Sequence, residues 1–299
     1  METKIYRLSF RNAHFGDGYL NTSVPTFMAS RLFSALCLEA LKNDCLEEWM
    51  AVAENDEFRI SDAFPYQGQP YLPVPIGEIA HKMNLRTLVE DNQANKAAQS
   101  LRFVSLDKLS DLLSGMVSAE ELLKEELNLV QQTVLMKKGE DPYEVGVTEY
   151  RSSLYVLASS APLFEQLMTS LQYSGLGGKR TSGYGQFEMR ILSVPLAMQE
   201  MLVNDNTDKQ VLLTTSLPKD NELSRVMDGA NYRLVKSSGF TYSPSVNEQL
   251  RKEDLYKFAS GSVFSRRYQG SIVDVRPSGF AHPVWNYAKG MFYGLGAAK

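Results

Sequence analysis

The stretch Ser174–Phe187, "SGLGGKRTSGYGQF", sets five glycines, Gly175, Gly177, Gly178, Gly183 and Gly185, around Lys179 and Arg180, with Thr181, Ser182 and Tyr184 close by. Glycine loses more backbone freedom on folding than any other residue, so this density needs a reason. One reason is a nucleotide-binding loop. The Walker A spacing fails, however: Tyr173 stands where the first glycine belongs, and Arg180 where a Ser or Thr must ligate magnesium. A dinucleotide loop fails too, because Arg180 replaces the third glycine. A plain connector needs one or two glycines and no Lys-Arg pair. Close approach to a nucleic-acid backbone accounts for the whole composition. Bare main chain offers N–H groups for an anion nest, Lys179 and Arg180 supply charge, Thr181 and Ser182 supply hydroxyls, and Tyr184 supplies a stacking ring.

His14, in "NAHFGDG", is the best placed of three histidines for proton transfer. Metal-free RNA cleavage needs a base near a 2′-OH and an acid for the leaving group, and His14 with Lys179 supplies such a pair if their loops converge. A single loop histidine is also explained as an RNA or packing contact, which is the reading preferred here. Asp17, between two glycines, reads as a turn residue. No H-E-x-x-H, paired C-x-x-C or carboxylate cluster marks a metal site, so no cofactor is expected. A second basic and aromatic patch is "SVFSRRYQG"; in a strand, Arg266 and Arg267 point to opposite faces, so at most one serves a given surface. "KSSGFTYS" places Ser238, Gly239 and Phe240 in a turn suited either to RNA or to plain sheet surface.

These residues need elements to hold them. "KIYRLSF" alternates as a half-buried strand, and "TFMASRLFSALCLEALK" carries an apolar stripe at helical spacing, with Arg31 and Ser34 off it. A short strand and a helix ending at Gly115 follow a polar insertion over Ile76–Asn95. Thr133–Ala158 reads as strand, turn, strand, with the turn at Gly139–Pro142. A helix from Pro162 to before Gly175, the glycine loop, and the strand Phe187–Ile191 complete a βαββαβ ferredoxin-like order. A second, strand-rich set begins after the polar Asn204–Lys209, giving two α+β domains, 1–204 and 205–299. At 299 residues, 43% hydrophobic and 22% charged, the chain is globular in composition. Its net charge of −4 argues against general charge-driven nucleic-acid binding, so any phosphate contacts come from local basic patches. No apolar run approaches the ~18 residues of a membrane span, and no membrane partner is expected. Cys37 and Cys45 read as reduced thiols, and the cytoplasm is the expected compartment.

Ser174–Phe187 resembles the glycine-rich loop of the RAMP superfamily of CRISPR proteins, which lies between the second helix and last strand of a ferredoxin-like domain. "HFGDGYLNTSVPTFMASRLFSALCLEAL", "SLRFVSLDKLSDLLSG", "YEVGVTEYRSSLYVLA", "GSVF" and "AHPVWNYAKG" resemble, in order, one family within it. That family is the fourth subunit of the Csm complex, the type III-A CRISPR effector, and the resemblance spans nearly the whole chain. It implies an α+β fold of two ferredoxin-like, RRM-like RAMP domains with antiparallel sheets, insertions and a β-hairpin thumb. It implies a non-catalytic RNA-binding scaffold in antiviral defence. Such a subunit caps the CRISPR RNA at its 5′ handle and bridges backbone RAMP subunits to the large polymerase-like subunit. Val134–Val147, with Lys137 and Lys138 near its turn, is the thumb candidate and would meet target RNA. His14, Phe15, Arg31, Ser34, the glycine loop, Ser238–Phe240, Arg266 and Arg267 are the expected RNA contacts. The alternative is a metal-independent endoribonuclease that processes repeat RNA. Backbone subunits use an aspartate after their first strand, but the surroundings of Asp17 depart from that pattern.

Overall fold

The structure, a computed structural model, describes residues 1–79, 96–137, 142–241 and 250–296. β1 (Thr3–Phe10) buries Tyr6, Leu8 and Phe10 on one face and Ile5 on the other, as its alternation requires. A short β2 (Asn12–Ala13) and a loop lead to α1 (Ala29–Lys42), whose buried stripe is Leu32, Phe33, Leu36 and Ala40. Next come α2 (Leu46–Glu54), β3 (Phe64–Gln67), β4 (Gln69–Pro73) and β5 (Phe103–Ser105). α3 (Leu109–Ser114) stops at Gly115, which takes φ 71°, and α4 (Ala119–Leu127) is capped by the Ser118 hydroxyl. β6 (Val130–Lys137), β7 (Tyr143–Tyr150), β8 (Ser153–Ser159), α5 (Pro162–Ser174) and β9 (Phe187–Leu192) follow.

Six strands form one sheet in the order β5-β4-β3-β8-β1-β9, with antiparallel neighbours. The run β9-β1-β8-β3, with α1 and α5 packed on the Tyr6–Leu8–Phe10 face, is the split-βαβ arrangement of a ferredoxin-like domain. The single strand expected over the second arm of Thr133–Ala158 is broken at Arg151–Ser152. β7 leaves the main sheet to pair with β6 and β2, while β8 enters it.

α6 (Leu196–Val203) ends the first half, and the second contains β10 (Gln210–Leu212), α7 (Asp220–Val226), β11 (Leu234–Ser237), β12 (Leu255–Phe258), β13 (Val263–Phe264), β14 (Gly270–Asp274), β15 (Trp285–Lys289) and β16 (Phe292–Gly294). Its strands form small antiparallel sheets, β13-β10-β16, β11-β12 and β14-β15. The two halves share their cores. Val211, Leu213, Val263 and Tyr293 pack with Ile5, Phe64, Tyr155 and Leu157 on the sheet face opposite α1 and α5. The face on which RRM-type domains stack bases is therefore partly covered by the chain's own second half.

Buried polar groups tie this junction. Arg267 donates to Gln210 Oε1 at 2.7 Å and to the carbonyls of Leu202 and Asn204 at 2.8 and 2.7 Å. It holds the end of α6 and is not the exposed RNA contact expected of it. Lys257 donates to Ser30 Oγ at 3.2 Å and Asn286 Oδ1 at 3.0 Å, and burial pushes its pKa down to about 8. Lys289 donates to the carbonyls of Ala53 and Asn55 at 2.8 and 2.6 Å, placing a cation at the negative end of α2.

Burial pushes Lys289 down to about 7 from 10.5, so between those values the unfolded chain holds more protons than the folded one. Its contribution to stability therefore rises with pH across that window. In denaturant melts, the stability of the wild type relative to Lys289→Met should increase from about pH 7 to about pH 9. A difference that stays constant with pH contradicts this. Among the described residues no helix is long and apolar enough to cross a membrane.

Candidate nucleic-acid interface

The glycine loop lies directly on the turn that follows β1. Leaving α5, the chain turns at Gly175, φ 76°, and passes over His14 and Phe15. Gly178 N–H donates to the His14 carbonyl at 2.9 Å, Gly185 N–H to the Asn12 carbonyl at 3.0 Å, and Leu176 N–H to the Gly185 carbonyl at 2.8 Å. A Cβ on Gly178 would meet His14 Cδ2 at 2.6 Å, and one on Gly185 would meet the Leu176 oxygen at 2.0 Å. These glycines are bare toward the protein rather than toward solvent. The expected nest of free N–H groups is corrected accordingly: Gly175, Gly178, Ser182, Gly183 and Gly185 all donate within the protein.

A short rim remains outside. Lys179 takes φ 56° and feeds a 3₁₀ turn over Arg180–Ser182, closed by Gly183 N–H on the Arg180 carbonyl at 2.9 Å. Thr181, Ser182 and Gly183 are exposed. The Arg180 side chain is partly exposed and forms no hydrogen bond or ion pair among the described residues. Lys179 Nζ sits 4.6 Å from the Tyr143 ring centroid, a cation–π contact with β7. The two cations thus divide their work: Lys179 braces the loop against the hairpin, and the Arg180 donors are unpaired among the described residues.

Beneath the rim, several expected contacts prove to be support. Phe15 is fully buried, with Phe10 and Phe27 edge-on at 5.6 and 5.1 Å. Tyr184 is buried with Val145 and Val147, so its ring offers no stacking face. His14 is buried and donates from Nδ1 to the Gly146 carbonyl at 2.7 Å, which fixes its tautomer. Arg31 donates to the Gly16 carbonyl, lies 5.6 Å from the Phe15 ring, and is lowered in pKa by burial. It supports the His14 turn from below. Ser34 Oγ donates to the Ser30 carbonyl at 2.9 Å within α1 and makes no described contact with the loop.

The other patches lie apart from the rim, with no described contact to it. Arg266 is exposed while Arg267 turns inward, but both lie in the loop between β13 and β14 rather than in the strand expected to hold them. Ser238 and Phe240 are exposed beyond β11, Gly239 between them takes φ 134°, and Phe240 pairs with Arg251 as an isolated bridge.

β6 and β7 pair at every position from Val130↔Tyr150 to Lys137↔Tyr143. Val134, Leu135 and Met136 are 55%, 39% and 56% exposed. Successive strand residues point to opposite faces, so β6 is open on both faces here, whereas opposite it on β7 Val145 is buried with Tyr184 and Gly146 lies against Thr22. Lys138, the turn residues 139–141, His81 and positions 80–95 of the polar insertion lie outside the described residues. Among the described residues no group of His, Cys, Asp or Glu is arranged to hold a metal. Cys37 and Cys45 are unpaired, and burial pushes the Cys37 thiol up to about 12.

A split-βαβ sheet, a glycine loop between its second helix and last strand, and the added β6–β7 hairpin define a RAMP-type ferredoxin-like protein. Residues 205–295 match the model of the CRISPR Csm4 C-terminal domain. The chain is 45% identical over 302 residues to the CRISPR system Cms protein Csm4 of Streptococcus thermophilus, covering 99% of both chains. It is 35% identical over 308 residues to the Csm4 of Mycobacterium tuberculosis H37Rv, covering 99% of this chain and 98% of the relative. The chain belongs to the Csm4 family. Its fold matches a chain in the crystal structure of a Csm3–Csm4 subcomplex of the type III-A CRISPR-Cas interference complex. The TM-score is 0.68 at 15% identity, over 98% of this chain and 100% of that one. It also matches a chain in the Csm1–Csm4 cassette in complex with AMPPNP, with TM-score 0.61, 15% identity and 99% of each chain covered.

Proposed function

We propose that the chain is a non-catalytic, RNA-binding scaffold of a type III-A CRISPR interference complex. Its glycine-loop rim contacts the 5′ handle of the CRISPR RNA. The chain bridges a backbone subunit of the Csm3 kind to a large polymerase-like subunit of the Csm1 kind, and its hairpin arm meets target RNA. The observation that carries the RNA contact is the rim: Arg180, whose side chain has no partner among the described residues, and the exposed hydroxyls of Thr181 and Ser182 stand on a loop fixed to His14 and Asn12. Charged and hydroxyl donors on a rigid support suit phosphate oxygens. The partners follow from relatives crystallised as Csm3–Csm4 and Csm1–Csm4. Such an effector works in the cytoplasm, and the proposed role needs no cofactor.

The state of His14 favours the scaffold over the metal-independent endoribonuclease. A general base needs an accessible nitrogen near the 2′-OH. Here the ring is buried, its Nδ1 proton is committed to Gly146, and its edge lies under Gly178. Purified protein incubated with repeat RNA and EDTA should leave the RNA intact; site-specific cleavage lost on His14→Ala would establish the enzyme instead. For the RNA contact itself, Lys179→Ala/Arg180→Ala should reduce guide RNA recovered with the co-expressed complex by about tenfold, since charged phosphate contacts contribute on the order of 1–2 kcal/mol. Undiminished recovery at physiological salt overturns this reading of the loop.

A further inference from the structure

The sheet face opposite α1 and α5 is covered only in part. On β1, Ile5 lies in the shared core, whereas Arg7 and Ser9, next along the same face, are partly exposed. The register sets Arg190 of β9 directly opposite Arg7, and Ser9 Oγ lies 3.0 Å from Ser153 Oγ of β8. Like charges directly opposite on neighbouring strands repel. Yet neither arginine has a carboxylate partner among the described residues: Glu188, opposite Ser9, is exposed and pairs with neither. Arg7 lies 5.7 Å from the Tyr66 ring centroid, and its Nε is buried with no hydrogen-bond partner. A buried, unsatisfied N–H on a charged group is unfavourable, and an anion accepted between the two guanidinium groups relieves both the repulsion and the missing bond.

Position identifies the anion. β9 begins two residues after Gly185, and Arg190 lies five residues beyond that glycine, about 16 Å of extended strand. The open end of the sheet is thus continuous with the glycine-loop rim. We propose that it binds a backbone phosphate of single-stranded RNA running on from that rim. Arg7 and Arg190 hold the phosphate oxygens, and whichever of the Ser9 and Ser153 hydroxyls accepts from the other adds its own proton as a donor. An acidic peptide would satisfy the cations, but the paired hydroxyls and the continuity with the rim favour RNA. The inference rests on the reading of the chain as an RNA-binding subunit.

The test measures binding of fluorescent single-stranded RNA carrying the repeat-derived handle, across a salt series, with co-purification of the effector subunits as a second readout. Arg190 is exposed and makes no described side-chain contact, so its variants should fold normally. Arg190→Gln is expected to weaken binding about fivefold and to reduce the log–log salt slope by about 0.7, the loss of one single-strand phosphate contact. Arg190→Glu should weaken it further. Suppose Arg190→Glu keeps wild-type affinity and slope while Lys179→Ala/Arg180→Ala loses both: the sheet site is overturned and the rim reading stands. The reverse pattern supports the sheet site and removes the rim. RNA binding retained together with loss of a partner subunit would assign this face to an acidic protein surface and overturn the proposal.

Discussion

Asp62→Ala should destabilise the protein by about 3–6 kcal/mol, because three buried donors lose their acceptor and each unsatisfied donor costs roughly 1–3 kcal/mol. Asp62 is 5% exposed. Its Oδ1 accepts from Ala29 N–H at 2.8 Å, and its Oδ2 from Thr215 N–H at 3.0 Å and Thr215 Oγ1 at 2.6 Å. Met28, at the N-cap of α1, provides no side-chain cap, so the carboxylate that caps this helix comes from a residue remote in sequence. The same carboxylate holds Thr215 of the second half. Burial raises the Asp62 pKa, against the hydrogen bonds from Thr215 and Ala29, which lower it. Urea melts measure the loss; a change under about 1 kcal/mol would show that the carboxylate is not a joint between the halves.

Gly185→Ala should disrupt the glycine loop far more than Gly183→Ala, although the two glycines have nearly the same backbone angle, φ 80° and 84°. Both substitutions carry the left-handed penalty of about 1–2 kcal/mol. Only at Gly185 does the new Cβ meet a carbonyl oxygen, that of Leu176 at 2.0 Å; at Gly183 nothing lies within 4 Å. The alanine at 185 must also push apart the hydrogen bonds to Asn12 and Leu176. Its total loss should be about 3–5 kcal/mol, with RNA binding lost as the rim shifts. Equal effects at 183 and 185 would contradict the inward packing of the loop.

The elements nearest the site were the most legible in the sequence. β1, α1, α5 and β9 announce themselves by period, because each buries one face against a single sheet. The ferredoxin order followed from them. The stretch Val211–Pro218, "VLLTTSLP", has the composition of a longer strand than β10. Its ladder stops at Leu212, since Leu213, Thr214 and Thr215 turn to bond Asp62 and Ile60 of the first half. Local periodicity carries no record of that pairing.

The candidate site was legible in place but not in orientation. A cluster of glycines marks close approach, yet the approaching surface proved to be the chain's own His14 turn. His14, Phe15 and Tyr184 therefore support the loop from inside, and Lys179–Ser182 form its outer rim. Arg266 and Arg267 face different ways in a loop rather than by strand alternation, and only the position of Gln210, Leu202 and Asn204 decides which one turns inward. The facing of Arg7 and Arg190 depends on the register of β1 against β9, which the sequence does not display.

The central claim is that the Lys179–Ser182 rim meets the 5′ handle of the guide RNA. The most direct measurement is photocrosslinking of the assembled complex, with the crosslinked peptide and nucleotide both identified. The predicted result is a crosslink between a peptide containing residues 179–182 and a nucleotide of the repeat-derived 5′ handle. Efficient crosslinking of the complex with that peptide unmodified, and the handle joined instead to another subunit, would contradict the account.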